Sequence, residues 1–167
     1  IAELISHALD QAQATGEAGL QLALDLPIAA LEHSAVQGRV QLQGNDLHLR
    51  AGVPRLANAT GAISFSETGF SIENVAVGLL GGQAQVSGGM PGADGAAPVR
   101  IRASGEASAS GLQQMHAWGP VAALAVHAAG SASYELIADF DGGASVLNVS
   151  SDLQGLALAL QPPLDKP

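Results

Sequence analysis

From Val36 to Gly89 the chain alternates apolar and polar residues in short runs divided by glycine-bearing turns. Alternation at period two sends one set of side chains into a core and the other into water, the pattern of half-buried strands. Val40 and Leu42 share one face, Gly44-Asn45-Asp46 reads as a turn, and Leu47 and Leu49 come after it. Ile63 and Phe65 lead through Glu67-Thr68-Gly69 to Phe70 and Ile72. Val75, Val77 and Leu79 enter Gly81-Gly82, and Ala84 and Val86 leave it. Paired glycines reach the positive backbone angles of tight hairpins, so the segment is expected to form about six strands of an antiparallel meander.

The flanks extend this plan. Ile1, Leu4, Ile5, Ala8, Leu9 and Ala12 recur at helical spacing, which predicts an amphipathic helix within 1–16, ended near Gly16. Leu20, Leu22, Leu24 and Leu26 stand at spacing two between Gly19 and Pro27, which favours a strand. The meander thus covers 19–89, and the turn-rich stretch Met90 to Pro98 reads as a linker. Over 99–161 further strands are expected: Val99 and Ile101 with Arg100 and Arg102 opposite, then Tyr134, Leu136, Ala138 and Phe140. Asp141-Gly142-Gly143 turns the chain into a return strand from Val146 to Ser151, and Leu156, Leu158 and Leu160 close it. Ser110 is placed to cap a short helix near 110–117, which Gly119-Pro120 would stop. GLQLALDLPIAAL near the start and GLALALQPPLDKP at the end echo one another as strand-then-proline units, and such units need neighbours to bury their apolar face. The fold class is therefore mainly β: a curved, mostly antiparallel sheet in a single segment of 1–167, with one or two short helices.

Composition excludes several kinds of function. A net charge of −9 with only six Lys and Arg argues against nucleic acid, whose affinity comes from cations that neutralise phosphates. There is no cysteine, so neither disulfides nor thiolate metal sites are available. His7, His33, His48, His116 and His127 have no companions at metal-ligand spacing, and zinc needs three or four convergent ligands. Asp139-Phe140-Asp141-Gly142 opens like a calcium loop but lacks its later ligands, and a hairpin turn explains it better. No nucleophile elbow, phosphate loop or dinucleotide fingerprint is present. Asn58-Ala59-Thr60 and Asn148-Val149-Ser150 fit the glycosylation pattern, which is short enough to arise by chance. The alanine-rich run Pro120 to Ser133 is well short of the ~20 apolar residues that span a bilayer. Ile1 opens the sequence without a signal peptide, so the chain reads as a piece of a longer protein whose membrane anchor lies elsewhere.

Four motifs in order carry a family resemblance: Gly-Arg-Val-x-Leu-x-Gly-Asn-Asp-Leu at 38–47, Pro-Arg-Leu-x-Asn-Ala-x-Gly-x-Ile-Ser-Phe-Ser-Glu-x-Gly-Phe at 54–70, Leu-Gly-Gly-Gln-Ala at 80–84, and Ser-Ser-Asp-Leu-Gln-Gly-Leu-Ala-Leu at 150–158. Together they resemble the YhdP branch of the AsmA-like proteins over nearly the whole chain. That resemblance implies a periplasmic β-sheet held to the inner membrane by a helix outside these residues and curled into a groove. Its apolar interior would carry phospholipid acyl chains between the inner and outer membranes and so support the outer-membrane barrier. The implied partners are phospholipid acyl chains and neighbouring segments of the same longer chain. The resemblance implies no cofactor, and it supplies no catalytic residues to carry over.

The residues support a groove on their own terms. A sheet with one apolar face must cover it, and lipid tails can do so as well as side chains. The candidate lining comprises Leu20, Leu22, Leu24 and Leu26, then Val40, Leu42, Leu47, Leu49, Ile63, Phe65, Phe70, Ile72, Val77, Leu79 and Val86, and later Leu136, Leu156 and Leu158. Few bulky aromatics would leave room between them. The alternative is a structural or adhesin-like β-rich envelope domain with no lipid cargo. An enzyme would need a polar constellation in a concave site, and none is visible.

Overall fold

The computed structural model describes residues 13–25, 35–49, 53–90, 98–115, 119–141 and 144–159. Within them the chain forms β1 (Gln13–Thr15), β2 (Ala18–Asp25), β3 (Ala35–His48), β4 (Leu56–Ser66), β5 (Phe70–Leu79) and β6 (Gly82–Met90). Next come β7 (Val99–Ser108), α1 (Ala109–Gln113), α2 (Pro120–Ala125), β8 (Ala128–Asp141), β9 (Ala144–Ser150) and β10 (Leu156–Leu158). All the strands join one antiparallel sheet in which each long strand pairs with its neighbour in sequence. β1 and β2 lie end to end along β3, and β9 and β10 lie end to end along β8. The result is an open meander with a broken strand at each edge, in keeping with the expected fold class.

Several local expectations are corrected. Gln13–Thr15 is a strand paired with Asp46–His48 and not the end of a helix; residues 1–12, where the rest of that helix was placed, lie outside the described residues. Gly44-Asn45-Asp46 is no turn: β3 runs straight through it, so Val36 to Gly89 holds four long strands instead of six. The extra residue is absorbed as a bulge, because Gly44 adopts φ +85, a backbone angle glycine reaches without steric cost. Of the linker at 90–98, Met90 belongs to β6 and Pro98 directly precedes β7, while 91–97 lie outside the described residues.

The helices differ too. Ser108, not Ser110, caps α1, its Oγ accepting the Gly111 N–H at 3.1 Å. Gly119-Pro120 begins a second helix where a stop was expected, since proline at the first helical position loses no hydrogen bond. The hairpins at Glu67-Thr68-Gly69 and between Asp141 and Ala144 stand where the sequence placed them, whereas the turn expected on Gly81-Gly82 falls one residue earlier, on Leu80-Gly81, and Gly82 already opens β6 opposite Leu79. Leu80 (φ +55) and Gly81 (φ +78) both take positive angles, as a two-residue hairpin with right-handed strand twist demands.

The bulge in β3 has counterparts in the next two strands. The register of β4 against its neighbours shifts around Asn58 (φ +51), and that of β5 shifts around Asn74 (φ +49). Each bulge reverses the parity of inward-facing positions. In β5, Phe70 and Ile72 give way to Val75, Val77 and Leu79, and in β3, Val40 and Leu42 give way to Leu47. Three adjacent bulges bend the sheet while keeping its apolar residues on one side.

The core forms on that side. Leu42, Val75, Val77, Leu79, Leu80, Val86 and Tyr134 are buried together, with Leu112 and Met115 from the α1 region packed against them. Each such aliphatic side chain stabilises the fold by roughly 1.5–3 kcal/mol. α1 approaches closely because Gly111 has no side chain; a Cβ there would strike the Leu80 carbonyl. The Ser108 N–H donates to that same carbonyl at 3.0 Å.

Candidate functional site: an apolar face with bare edges

The registers assemble apolar residues into rows that cross the sheet. One row runs unbroken from edge to edge: Leu20, Val40, Ile63, Ile72, Gly88, Ile101, Ala138, Leu147. With strands about 4.8 Å apart, its seven steps span roughly 34 Å. That exceeds the ~15 Å of one leaflet's acyl layer, half of a bilayer core. Beside it lie Leu22, Gly38, Phe65, Phe70 and Met90. The Phe65 ring covers Gly38, where a Cβ would run into it. On the other side lie Val75, Val86, Ala103, Leu136 and Val149.

Exposure divides these residues. At the β2 edge Leu20, Leu22 and Leu24 are 64%, 51% and 55% exposed, and at the β9 edge Leu147 and Val149 are also more than half exposed. Between the edges Leu42, Val77, Leu79 and Val86 are buried, and Val40, Leu47, Ile63, Ile72 and Leu136 pack against them. Phe65, Phe70, Leu49 and Leu158 are half-buried, Leu156 is buried beside β8, and Leu26 lies outside the described residues. The sequence-based lining therefore splits into a core set and a set with surface to offer. Ile101, Phe140, Leu147 and Val149 belong to the same face beyond the expected lining, and the same alternation marks them.

The opposite face is mostly polar from Gln21 to Asp139 and ends at the β9 edge on the exposed Val146. Its central row reads Gln21, Arg39, Ser64, Ser71, Gly89, Arg100, Asp139, Val146. The members from Gln21 to Arg100 also line a concavity of about 1000 Å³, together with Phe65, Phe70 and Met90. Two of its three arginines are already paired. Arg39 stands 3.9 Å from Glu73, and Arg100 makes a two-pronged contact with Asp139 at 2.5 and 3.2 Å. The Arg100 hydrogen bonds hold the Asp139 carboxyl below its usual range. Asp46 is likewise lowered, first by the Asn58 N–H it accepts at 3.0 Å and then by Arg55 at 2.7 Å. Both pairs fasten strands together on an exposed surface.

Chemistry on the apolar face is sparse. The Tyr134 hydroxyl is buried without a hydrogen-bond partner among the described residues, and burial pushes its pKa up to about 12. Among the described residues no three His, Asp or Glu converge to hold a metal, and no helix is long and apolar enough to cross a membrane. The arrangement offers apolar side chains along a row, exposed at both edges. No curated protein and no solved structure matches the chain. A family model described as YhdP protein matches residues 1–167, so the chain belongs to the YhdP family.

Proposed function

We propose that this chain is one section of a lipid conduit, its apolar face holding phospholipid acyl chains as they pass between the inner and outer membranes of the cell envelope. The observation that carries this reading is the unbroken apolar row from Leu20 to Leu147, bare at both edges and backed by a polar face. An apolar row open to water is costly, and an acyl chain lying along it removes that cost. Family membership and the lack of assembled reaction chemistry among the described residues point the same way. In this reading the section works in the periplasm, held to the inner membrane by an anchor beyond these residues, with neighbouring segments of the longer chain continuing the groove. It thereby supports the outer-membrane barrier and acts as a carrier surface, not an enzyme.

The test pairs two measurements. Mass spectrometry of the purified chain should find bound phospholipid. A photoreactive residue at Leu22 or Leu147 should crosslink to it, whereas one at Gln21 or Asn148, on the opposite face of the same strands, should not. Equal crosslinking from both faces, or a chain free of lipid, would favour a structural envelope domain without cargo.

A further inference from the structure

We propose that the concavity on the polar face binds a phosphate-bearing ligand, held between arginines of β3 and β7 over a floor of short side chains. The site lies across the sheet from the apolar row and does not depend on acyl chains lying there. Its lining takes the polar row from Gln21 to Arg100 and, beside that row, Ala23, Gln37 and Ser66. Side chains alternate between faces, so Phe65 and Phe70, which stand between these two rows, meet the concavity through their backbone. The chain has a net charge of −9 and only six Lys and Arg, yet three of the six, Arg39, Arg100 and Arg102, line this one concavity. Among the described residues that line it there is no carboxylate. A cleft lined by one sign of charge concentrates ligands of the other sign.

Long donors wall a low floor. Ser71 on β5 is the middle of the five strands β3 to β7, with Ser64 on β4 and Gly89 on β6 to either side. With strands about 4.8 Å apart, β3 and β7 each stand about 10 Å from Ser71, so an arginine on either strand can lean inward over these short residues. Arg39 already does so, crossing β4 to stand 3.9 Å from Glu73 on β5. That separation is too long for a hydrogen bond and leaves the guanidinium N–H groups to a better acceptor. On β7 Arg100 is anchored outward to Asp139, while Arg102, two residues on and on the same face, makes no ion pair with a described residue. Guanidinium forks match the oxygens of carboxylates and phosphates alike. A carboxylate has oxygens for one fork, whereas a phosphate ester has three, enough to serve both walls and a serine hydroxyl beneath. The volume of about 1000 Å³ leaves room for the group that carries the phosphate.

The experiment titrates the 167-residue chain with tripolyphosphate by calorimetry. Binding should saturate, and the amide resonances of Ser64, Ser71 and Gly89 should move more than those of Leu20 and Leu147. Arg39→Gln and Arg102→Gln should each weaken binding about tenfold, while Arg55→Gln, which removes the same charge outside this concavity, should weaken it less than about twofold. Ser71→Glu keeps every arginine and sets a carboxylate on the exposed floor. It should abolish binding with an unchanged circular dichroism spectrum, which covers the case in which losing an arginine disturbs folding. Vesicles assign the source of the phosphate. If it is a lipid headgroup, phosphatidylcholine vesicles that contain phosphatidic acid should sediment the chain and tripolyphosphate should release it. Binding to tripolyphosphate without sedimentation makes the ligand a soluble phosphate ester. Binding to neither probe, unaltered affinity in Arg39→Gln, Arg102→Gln and Ser71→Glu, or an equal loss from Arg55→Gln would each overturn the proposal. These substitutions leave the apolar face intact, so phospholipid crosslinking from Leu22 reports on the conduit separately.

Discussion

The side-chain amide of Asn45 donates to the Thr15 carbonyl at 3.1 Å, spanning the break where β1 gives way to β2. Its Oδ1 accepts the Gln43 N–H at 2.9 Å, and the residue is only 2% exposed. One buried amide thus satisfies the bulge in β3 and ties down the interrupted edge beside it. Asn45→Leu would keep the volume and leave the Thr15 carbonyl and Gln43 N–H without those partners. The expected cost is about 1–3 kcal/mol in urea unfolding, with amide exchange accelerated more in Gln13–Thr15 than in β6. Unchanged exchange in β1 would mean that the break is held by something else.

Two glycines on neighbouring rows should respond differently to the same methyl group. At Gly38 the obstacle is the Phe65 ring, which can swing aside, whereas at Gly89 it is the Phe70 carbonyl, and Gly89 also sits at φ +150. Gly38→Ala is expected to cost about 1 kcal/mol, and that cost should shrink when Phe65 is replaced by Leu. Gly89→Ala should cost about 2–3 kcal/mol in either background. Equal penalties, with no coupling between Gly38 and Phe65, would contradict the ring-over-glycine contact.

The meander itself was legible because alternation and hairpin glycines are local signals: Gly81 and Gly69 mark turns that the fold uses. The bulges were harder to read. Gly44-Asn45-Asp46 has the composition of a turn, and only the long partner strand β4 tells the chain to run on. The sequence does hold one hint, the parity change from Ile72 to Val75, which an unbroken strand cannot accommodate on one face. Which apolar residues would be bare was not legible, since alternation gives the same mark to Leu22 at an edge and Val77 in the core. Pro120 misled because proline both stops and starts helices, and the choice depends on whether the residues after it can continue a helix, as Val121 to Ala125 do.

Asn74 provides a direct check of the bulge in β5. Its φ of +49 suits glycine and asparagine but is unfavourable for a β-branched side chain. Asn74→Gly should change stability by under about 0.5 kcal/mol, while Asn74→Val should cost about 1–2 kcal/mol. If valine were tolerated as well as glycine, as judged by thermal unfolding of both variants, the strand could not hold that angle.

Tyr134 is the only tyrosine, so phenolate absorbance during an alkaline titration reports it alone. The transition is expected near pH 12, displaced from about 10 because burial disfavours the charged form. A raised folded pKa means the native state holds its proton where the unfolded chain has lost it. The stability this provides is complete below about pH 10 and disappears as pH rises towards 12. Tyr134→Phe should flatten that alkaline loss and should not lower stability at pH 7, because the hydroxyl it removes has no partner among the described residues. A native-state transition near pH 10 would place the hydroxyl in water.

Carboxylate substitutions separate the core from the exposed apolar edge. Leu42 is 6% exposed, so Leu42→Asp buries an unpaired charge and should abolish folding, and its loss of lipid would say nothing about a groove. Leu22 is half exposed at the edge, so Leu22→Asp should leave the circular dichroism spectrum and unfolding midpoint nearly unchanged. If acyl chains lie along the apolar face, that variant should still retain several-fold less phospholipid than the unmodified chain. Gln21→Asp, one residue away on the polar face, adds the same charge and should retain as much as the unmodified chain. Equal loss from Leu22→Asp and Gln21→Asp would assign the effect to net charge and remove the face from the account. Equal retention would mean that lipid, where present, sits away from the β2 edge.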